Sequence, residues 1–393
     1  MAAAAQIEPV GTEPMIRPKA LGFAPELELL LACSWPVSDR EPHLAAILGL
    51  QLNWDSVLRL ADHHRLLPAL HAALGARDDV PASIRSAISA RFQNHERRVL
   101  RFNAELARIW RQFERYGIPA LAHKGAALGQ LLYADPAQRQ FGDLDCLVRA
   151  ADVPRARSAL QELGYTQKIH LSARQEKKYL RSGYEHVFGI NADHNLVEVQ
   201  WQIVPRFYSI HFDMEALFAR SVELDLDGLR LRTLVKEDQM LVLCVHAAKH
   251  EWMQLAMLRD IATLARSDLN WDWIGGEARR LGIARILSVS LLLAQRLLGL
   301  NVPQLFQHNR DGGPVAEVES ALIRGADPDP ETAAYFRRMM RLRERWQDRV
   351  RLILRLTTTP SVGEWQTVRI PDSCFPLYHG VRALRLLRRL FRG

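Results

Sequence analysis

Cysteine is scarce in this chain and follows no spacing pattern. Cys33, Cys146, Cys244 and Cys374 are spread over 393 residues without a Cys-x-x-Cys pair, which excludes a disulfide framework or a zinc knuckle. Long apolar runs are also missing. The nearest, residues 282–300, is interrupted by Arg285 and Arg296, so no membrane-spanning helix is expected. Residues 1–20 have neither a positive start nor a sustained apolar stretch. They read as a disordered leader rather than a signal peptide, and the expected compartment is the cytoplasm. No internal repeat occurs, and no low-complexity tract follows the alanine-rich leader. No Ser-His or Cys-His signature points to a covalent nucleophile.

What is present is a globular composition, 48% hydrophobic and 24% charged, in a chain long enough for two or three domains. The net charge of +8 is unevenly placed. Residues 341–393 carry 12 arginines against Glu344, Asp348, Glu364 and Asp372, so the remainder sums to zero. The basic balance belongs to the tail.

Residues 21–117 are expected to be helical. Helices are predicted at 26–32 and at 54–65 behind an Asn53 cap, with one or two more in 81–113. In the last, Val99, Phe102, Leu106, Trp110 and Phe113 form an apolar stripe at helical spacing. Residues 118–235 are expected to bear a sheet. They include a helix over 152–163 ended by Gly164, a strand at 184–190, a turn at 193–195, and a hairpin of 221–226 and 229–234 joined by Asp227-Gly228. The polar stretch 174–181 reads as a mobile loop over the site. Residues 236–393 return to helix. A first helix runs to His250, and the Arg259-Asp260 pair on the next is read as a buried ion pair. Residues 311–314 and 327–330 read as loops, 332–356 as one arginine-rich helix, 357–376 as irregular, and 381–392 as a basic amphipathic helix. On that last helix Val381, Leu384, Leu387 and Phe391 form an apolar stripe, expected to pack, beside Arg382, Arg385, Arg389 and Arg392. The fold class expected is therefore α+β, a small mixed sheet flanked by N-terminal and C-terminal helical regions.

The chain is organised around residues 119–148. A short apolar strand at 119–122 is broken by Lys124-Gly125, a helix covers 126–133, and Asp135-Pro136 closes it. Gly142 then opens a second apolar run in which only Asp143 and Asp145 are charged. Acids at i and i+2 of a strand share a face, about 6.5 to 7 Å apart. Carboxylates set into an otherwise buried strand need a partner, and Mg²⁺ suits a pair of hard oxygen ligands. A third acid fits the same pattern. In 196–203, Glu198, Gln200 and Gln202 alternate with Val197, Val199 and Trp201. Laid beside the first strand, Glu198 completes a cluster able to hold two divalent ions roughly 3.5–4 Å apart.

Lys124-Gly125, Leu132-Tyr133-Ala134-Asp135-Pro136, Arg139-x-x-Gly142-Asp143-x-Asp145 and Val197-Glu198-Val-x-Trp201 together resemble the uncharacterised bacterial nucleotidyltransferase family of the DNA polymerase β-like superfamily. The resemblance runs from about Leu27 to the C-terminus. It departs at Gln200, where the family pattern often has His. It implies transfer of an NMP from an NTP to an acceptor with release of pyrophosphate, in the presence of Mg²⁺ or Mn²⁺. Asp143, Asp145 and Glu198 are then the catalytic and metal-binding residues. Lys124 and Gly125, at a helix start, meet the triphosphate, and Arg139 contacts phosphate or braces the loop before Gly142. His246, Lys249 and His250 share a helical face that is read as cationic and turned toward the nucleotide; zinc at that spacing lacks a third ligand. Superfamily relatives act on small molecules, proteins and tRNA, so the acceptor stays open among small molecule, peptide and tRNA. Two rival readings exist. An Asp-x-Asp glycosyltransferase needs a longer βα region before the motif and no Glu198. A decayed helical binding protein for peptide or RNA conflicts with three intact acids.

Overall fold

A computed structural model describes residues 22–190, 196–303, 306, 312–325, 333–360, 362–368, 370–371 and 374–390. The N-terminal helices are α1 (Pro25–Cys33), α2 (Val37–Leu48), α3 (Trp54–His63), α4 (Leu67–Leu74) and the long α5 (Ala82–Arg115). Asn53 caps α3 by accepting from the Ser56 N–H at 3.0 Å. Helices α2 and α4 were not expected from the sequence. The expected stripe of α5 is buried from Val99 to Phe113.

The sheet region follows with β1 (Ala120–Ala122), α6 (Gly125–Tyr133), β2 (Asp143–Val148), α7 (Val153–Glu162), β3 (Thr166–Gln167), α8 (Ala173–Ser182), β4 (Glu185–Gly189) and β5 (Leu196–Gln200). Its strand order is β1-β2-β5-β4-β3. Strands β2 and β5 are parallel, with Asp145 opposite Glu198, and the other neighbours are antiparallel. Next come α9 (Met214–Arg220) and the hairpin β6 (Val222–Leu226) and β7 (Leu229–Thr233). The hairpin turns through Asp227 and Gly228 at φ of 53° and 82°, the left-handed pair a tight turn requires.

The helices beyond are α10 (Lys236–Lys249), α11 (Leu255–Ala265), α12 (Trp271–Leu281), α13 (Ala284–Leu298), α14 (Gly312–Ile323), α15 (Ala333–Arg341), α16 (Trp346–Thr358), α17 (Val362–Thr367) and α18 (Leu377–Leu390). The fold class is thus α+β, a mixed sheet with helices on both sides of it in sequence. Alternation along the strands splits the interior in two. Leu144, Cys146, Val148, Val197 and Val199 join α5 and α7 in one core. Leu121 and Leu147 face the other way, into a larger core built by α1, α10, α11 and α13. The acids of β2 and β5 lie on that second side.

Several expectations are corrected. Residues 174–181 are not a loop but most of α8, started by a capping box in which Ser172 and Gln175 exchange side-chain-to-backbone bonds. The helix is held by Glu176, whose carboxylate accepts from Arg157 and from His186 Nε2. Tyr179 packs on Trp201 and Trp365. The arginine-rich stretch is two helices, α15 and α16, because Arg343 between them turns inward to donate to the carbonyls of Tyr208 and Gly282. Gly312 to Pro314 form the first turn of α14 rather than a loop. Residues 362–367, expected to be irregular, form α17. Asp260 pairs with Arg139 at 2.9 Å and not with Arg259, which donates to the Gln138 carbonyl. In α18 the expected apolar stripe is half-buried at Val381 and unpacked at Leu384, the side chains of Leu387 and Phe391 lying outside the described residues. Arg382 is buried and, with Arg385, meets the fully buried Glu364 at 3.1 and 3.0 Å, whereas Leu384 is exposed. The expected leader, the turn at 193–195 and the loop at 327–330 lie outside the described residues. Among the described residues no helix is long and apolar enough to cross a membrane.

Candidate active site

The site is built where β1 gives way to α6. Lys124 is the last residue before the helix, in extended conformation, and Gly125 opens it with φ 53°. A Cβ on Gly125 would lie 3.4 Å from the Asp143 carbonyl, so glycine both permits the left-handed turn and lets α6 sit against β2. Beside it, β2 brings Asp143 and Asp145, β5 brings Glu198 and Gln200, and β4 brings Glu185. Helices α10 and α11 close the opposite wall.

A cavity of about 280 Å³ lies between these walls. From the sheet side it is lined by Lys124, Asp143, Asp145, Glu198, Tyr184 and Glu185, and from the helical side by Arg65, Arg139, His246, Lys249 and His250. The side chains of Lys124, Arg139, Asp143, Asp145, Glu198, His246, Lys249 and His250 therefore reach one cavity, while Gly125, the first residue of α6, is not among its lining residues. Arg65, Tyr184 and Glu185 were not singled out. Arg65 ends a helix turn at φ 55°, and nothing in its neighbourhood marks it. The strand carrying Glu185 was expected, but its register against β5 was not readable.

One polar chain crosses the sheet edge. Lys124 Nζ donates to Asp145 Oδ1 at 2.8 Å. Gln200 Nε2 lies 2.9 Å from the same Oδ1, 2.9 Å from Glu198 Oε2 and 3.3 Å from Glu185 Oε2. At the far end Lys249 Nζ donates to Tyr184 Oη at 2.8 Å, and its charge lies 4.5 Å from that ring's centroid. Arg139 is anchored from outside, by Asp260 and by the Gly125 carbonyl at 3.5 Å. Asp260 also accepts from Tyr133 at 2.8 Å.

The electrostatics follow from crowding acids out of water. Burial, then repulsion from Asp145 and Glu185, pushes Glu198 up to about 9. Burial and Asp145 raise Asp143 as well. Asp145 itself stays low: burial opposes its charge, but Lys124 above all, with His123 and Arg139, outweighs it. Burial likewise opposes the charge of Lys124, and Asp145 overcomes it. On the helical wall burial, then Lys124, holds His246 well below the ordinary imidazole range, and burial, then Lys249, lowers His250 to about 4. Both histidines of the face read as cationic are thus neutral near pH 7, and burial lowers Lys249 as well.

The donor set fits a divalent cation in kind. Its oxygens are hard ligands on paired strands, and two of the acids are held above their ordinary range by burial and by neighbouring carboxylates. The acids do not yet converge: among the described residues, no three His, Cys, Asp or Glu side chains are arranged to hold one ion. Asp145 Oδ1 is instead engaged by Lys124 and Gln200.

No curated protein and no solved structure matches this chain. A family model described as uncharacterised nucleotidyltransferase matches residues 51–299, a narrower span than the sequence resemblance covers. That span holds every side chain of the cavity, and the chain belongs to this nucleotidyltransferase family.

Proposed function

We propose that the protein transfers an NMP from an NTP to an acceptor, with release of pyrophosphate, in the cavity between the sheet and α10. One observation carries this reading. Asp143, Asp145 and Glu198, from two paired strands, face one cavity with Lys124 and Arg65. Acids and cations facing one cavity form the arrangement that neutralises a triphosphate and its accompanying metal. Asp143, Asp145 and Glu198 would hold a divalent ion, Mg²⁺ or Mn²⁺, which when bound supplies charge neutralisation for an in-line displacement at phosphorus.

The chain's own residues do the rest. Lys124, Arg65 and the N-terminus of α6 bind the β and γ phosphates, where an anion meets unpaired N–H groups. Arg139, locked by Asp260, fixes the loop that carries Gly142 into β2. The acceptor's O–H (or N–H) bond breaks as its heteroatom bonds to the α-phosphorus, and the bond from the α-phosphorus to the bridging oxygen breaks to release pyrophosphate. Glu198, whose carboxyl burial and the neighbouring acids raise, would in its ionised form receive the acceptor proton. Lys249 and Tyr184 close the other end of the acid row.

The test is incubation with Mg²⁺, each α-labelled NTP and a desalted cell extract, following pyrophosphate release and label transfer. Release should require the metal and disappear in Asp145→Asn. Transfer at the wild-type rate in that variant would refute the assignment.

A further inference from the structure

We infer that Lys124 is the resident counter-ion of the acid row, so that divalent cation and nucleotide enter the cavity together rather than singly. The inference rests on the nucleotidyltransferase reading and concerns the order in which that site fills.

Four carboxylates, of Asp143, Asp145, Glu185 and Glu198, line the cavity, and Asp145, the deepest, is 5% exposed. Its Oδ1 is taken twice, by the Lys124 ammonium at 2.8 Å and by the Gln200 amide at 2.9 Å. Gln200 has two hydrogens for three carboxylate oxygens within 3.3 Å. Its own Oε1 is buried with no partner among the described residues. Turning the amide over would set that oxygen against the three acids, so the orientation is fixed by charge. Among the described residues, Asp145 is thus bonded directly by one ammonium and one shared amide, while Arg65, Arg139 and Lys249 face the same cavity.

A divalent ion on Asp145 must share a carboxylate whose Oδ1 Lys124 now holds, and ammonium and metal repel each other across it. Phosphate reverses this. Lys124 immediately precedes the N-terminus of α6, where phosphate oxygens are favoured, so a triphosphate draws the ammonium away from Asp145 and frees Oδ1 for the ion. Because binding free energies are linked, each ligand tightens the other by the same factor.

The experiment measures Mn²⁺ affinity by electron paramagnetic resonance on the full chain. Wild type, Lys124→Met and Asp145→Asn are each tested alone and with the α,β-methylene analogue of each common nucleoside triphosphate. Without nucleotide, Lys124→Met should bind Mn²⁺ roughly tenfold or more tighter than wild type, the effect of removing one charge-assisted contact. A bound analogue should tighten Mn²⁺ in wild type by a similar factor and in Lys124→Met by much less. Asp145→Asn should lose Mn²⁺ throughout. Lys124→Gln, which keeps a donor without its charge, serves if the Met variant does not melt cooperatively, and should show the same gain. Equal nucleotide-free Mn²⁺ affinity in wild type and both Lys124 variants would overturn the inference, as would a wild-type affinity unchanged by a bound analogue. Failure of the nucleotidyltransferase reading looks different: no analogue alters the melting temperature of any variant, while the Lys124→Met gain, which needs only the acids, persists.

Discussion

Glu198→Gln should stabilise the metal-free protein, and the gain should grow with pH. The carboxyl of Glu198 is raised by burial and by Asp145 and Glu185 from an ordinary 4.5 to about 9. Between those two values the folded chain keeps a proton that the unfolded chain has released, so stability is lost as pH rises, at about 1.36 kcal/mol per pH unit. From pH 7.0 to 8.5 the loss is about 2 kcal/mol, or about 2–4 °C in melting temperature for a chain of this size. That window lies above the ordinary histidine range. Buried His123, His246 and His250, all lowered by burial first, give the opposite slope only near and below about pH 6.5. Melting in EDTA at intervals across the window, with wild type and variant in parallel, removes contributions common to both, such as Lys249. Wild type should lose about 2 kcal/mol relative to Glu198→Gln, and saturating Mn²⁺ should flatten the difference by ionising Glu198. Parallel profiles in EDTA would refute the crowding of acids on which the site description depends.

Arg139→Ala should cost about 3–5 kcal/mol in stability, because it removes the ion-pair partner of Asp260, 3% exposed, and leaves the Tyr133 hydroxyl on its carboxylate; chemical denaturation checks this, and a loss under 1 kcal/mol would mean that the pair is dispensable. Glu364→Ala should be comparably destabilising through the buried Arg382, and removal of residues 378–393 should lower the melting temperature of the whole protein rather than merely abolish binding to RNA or vesicles. Lys124→Ala, measured with Mn²⁺ present, should weaken nucleotide binding about 10- to 100-fold, the effect of one charge-assisted contact; calorimetry showing unchanged affinity would reduce Lys124 to a structural role.

The parts of this protein that the sequence determines are those in which local chemistry leaves a single choice. Gly125 takes a backbone angle that other residues resist, Asp227-Gly228 makes a tight turn, Asn53 caps a helix, and two acids two residues apart must share a strand face. From such constraints the sheet, its acids and the lysine before α6 could all be placed in advance. In stretch 174–181 the run of charge masks the capping box at Ser172, and the packing of Tyr179 and the bonds of Glu176 hold it as a helix. What the tertiary structure alone decided is register and company. Strand order sets Glu185 beside Gln200, helix packing carries Arg65 and Lys249 across to the acids, and Asp260 chooses Arg139, 121 residues away in sequence, over its neighbour Arg259. Long-range contacts of this kind leave no periodicity in the chain, because nothing in the spacing of residues along one segment records which other segment will face it.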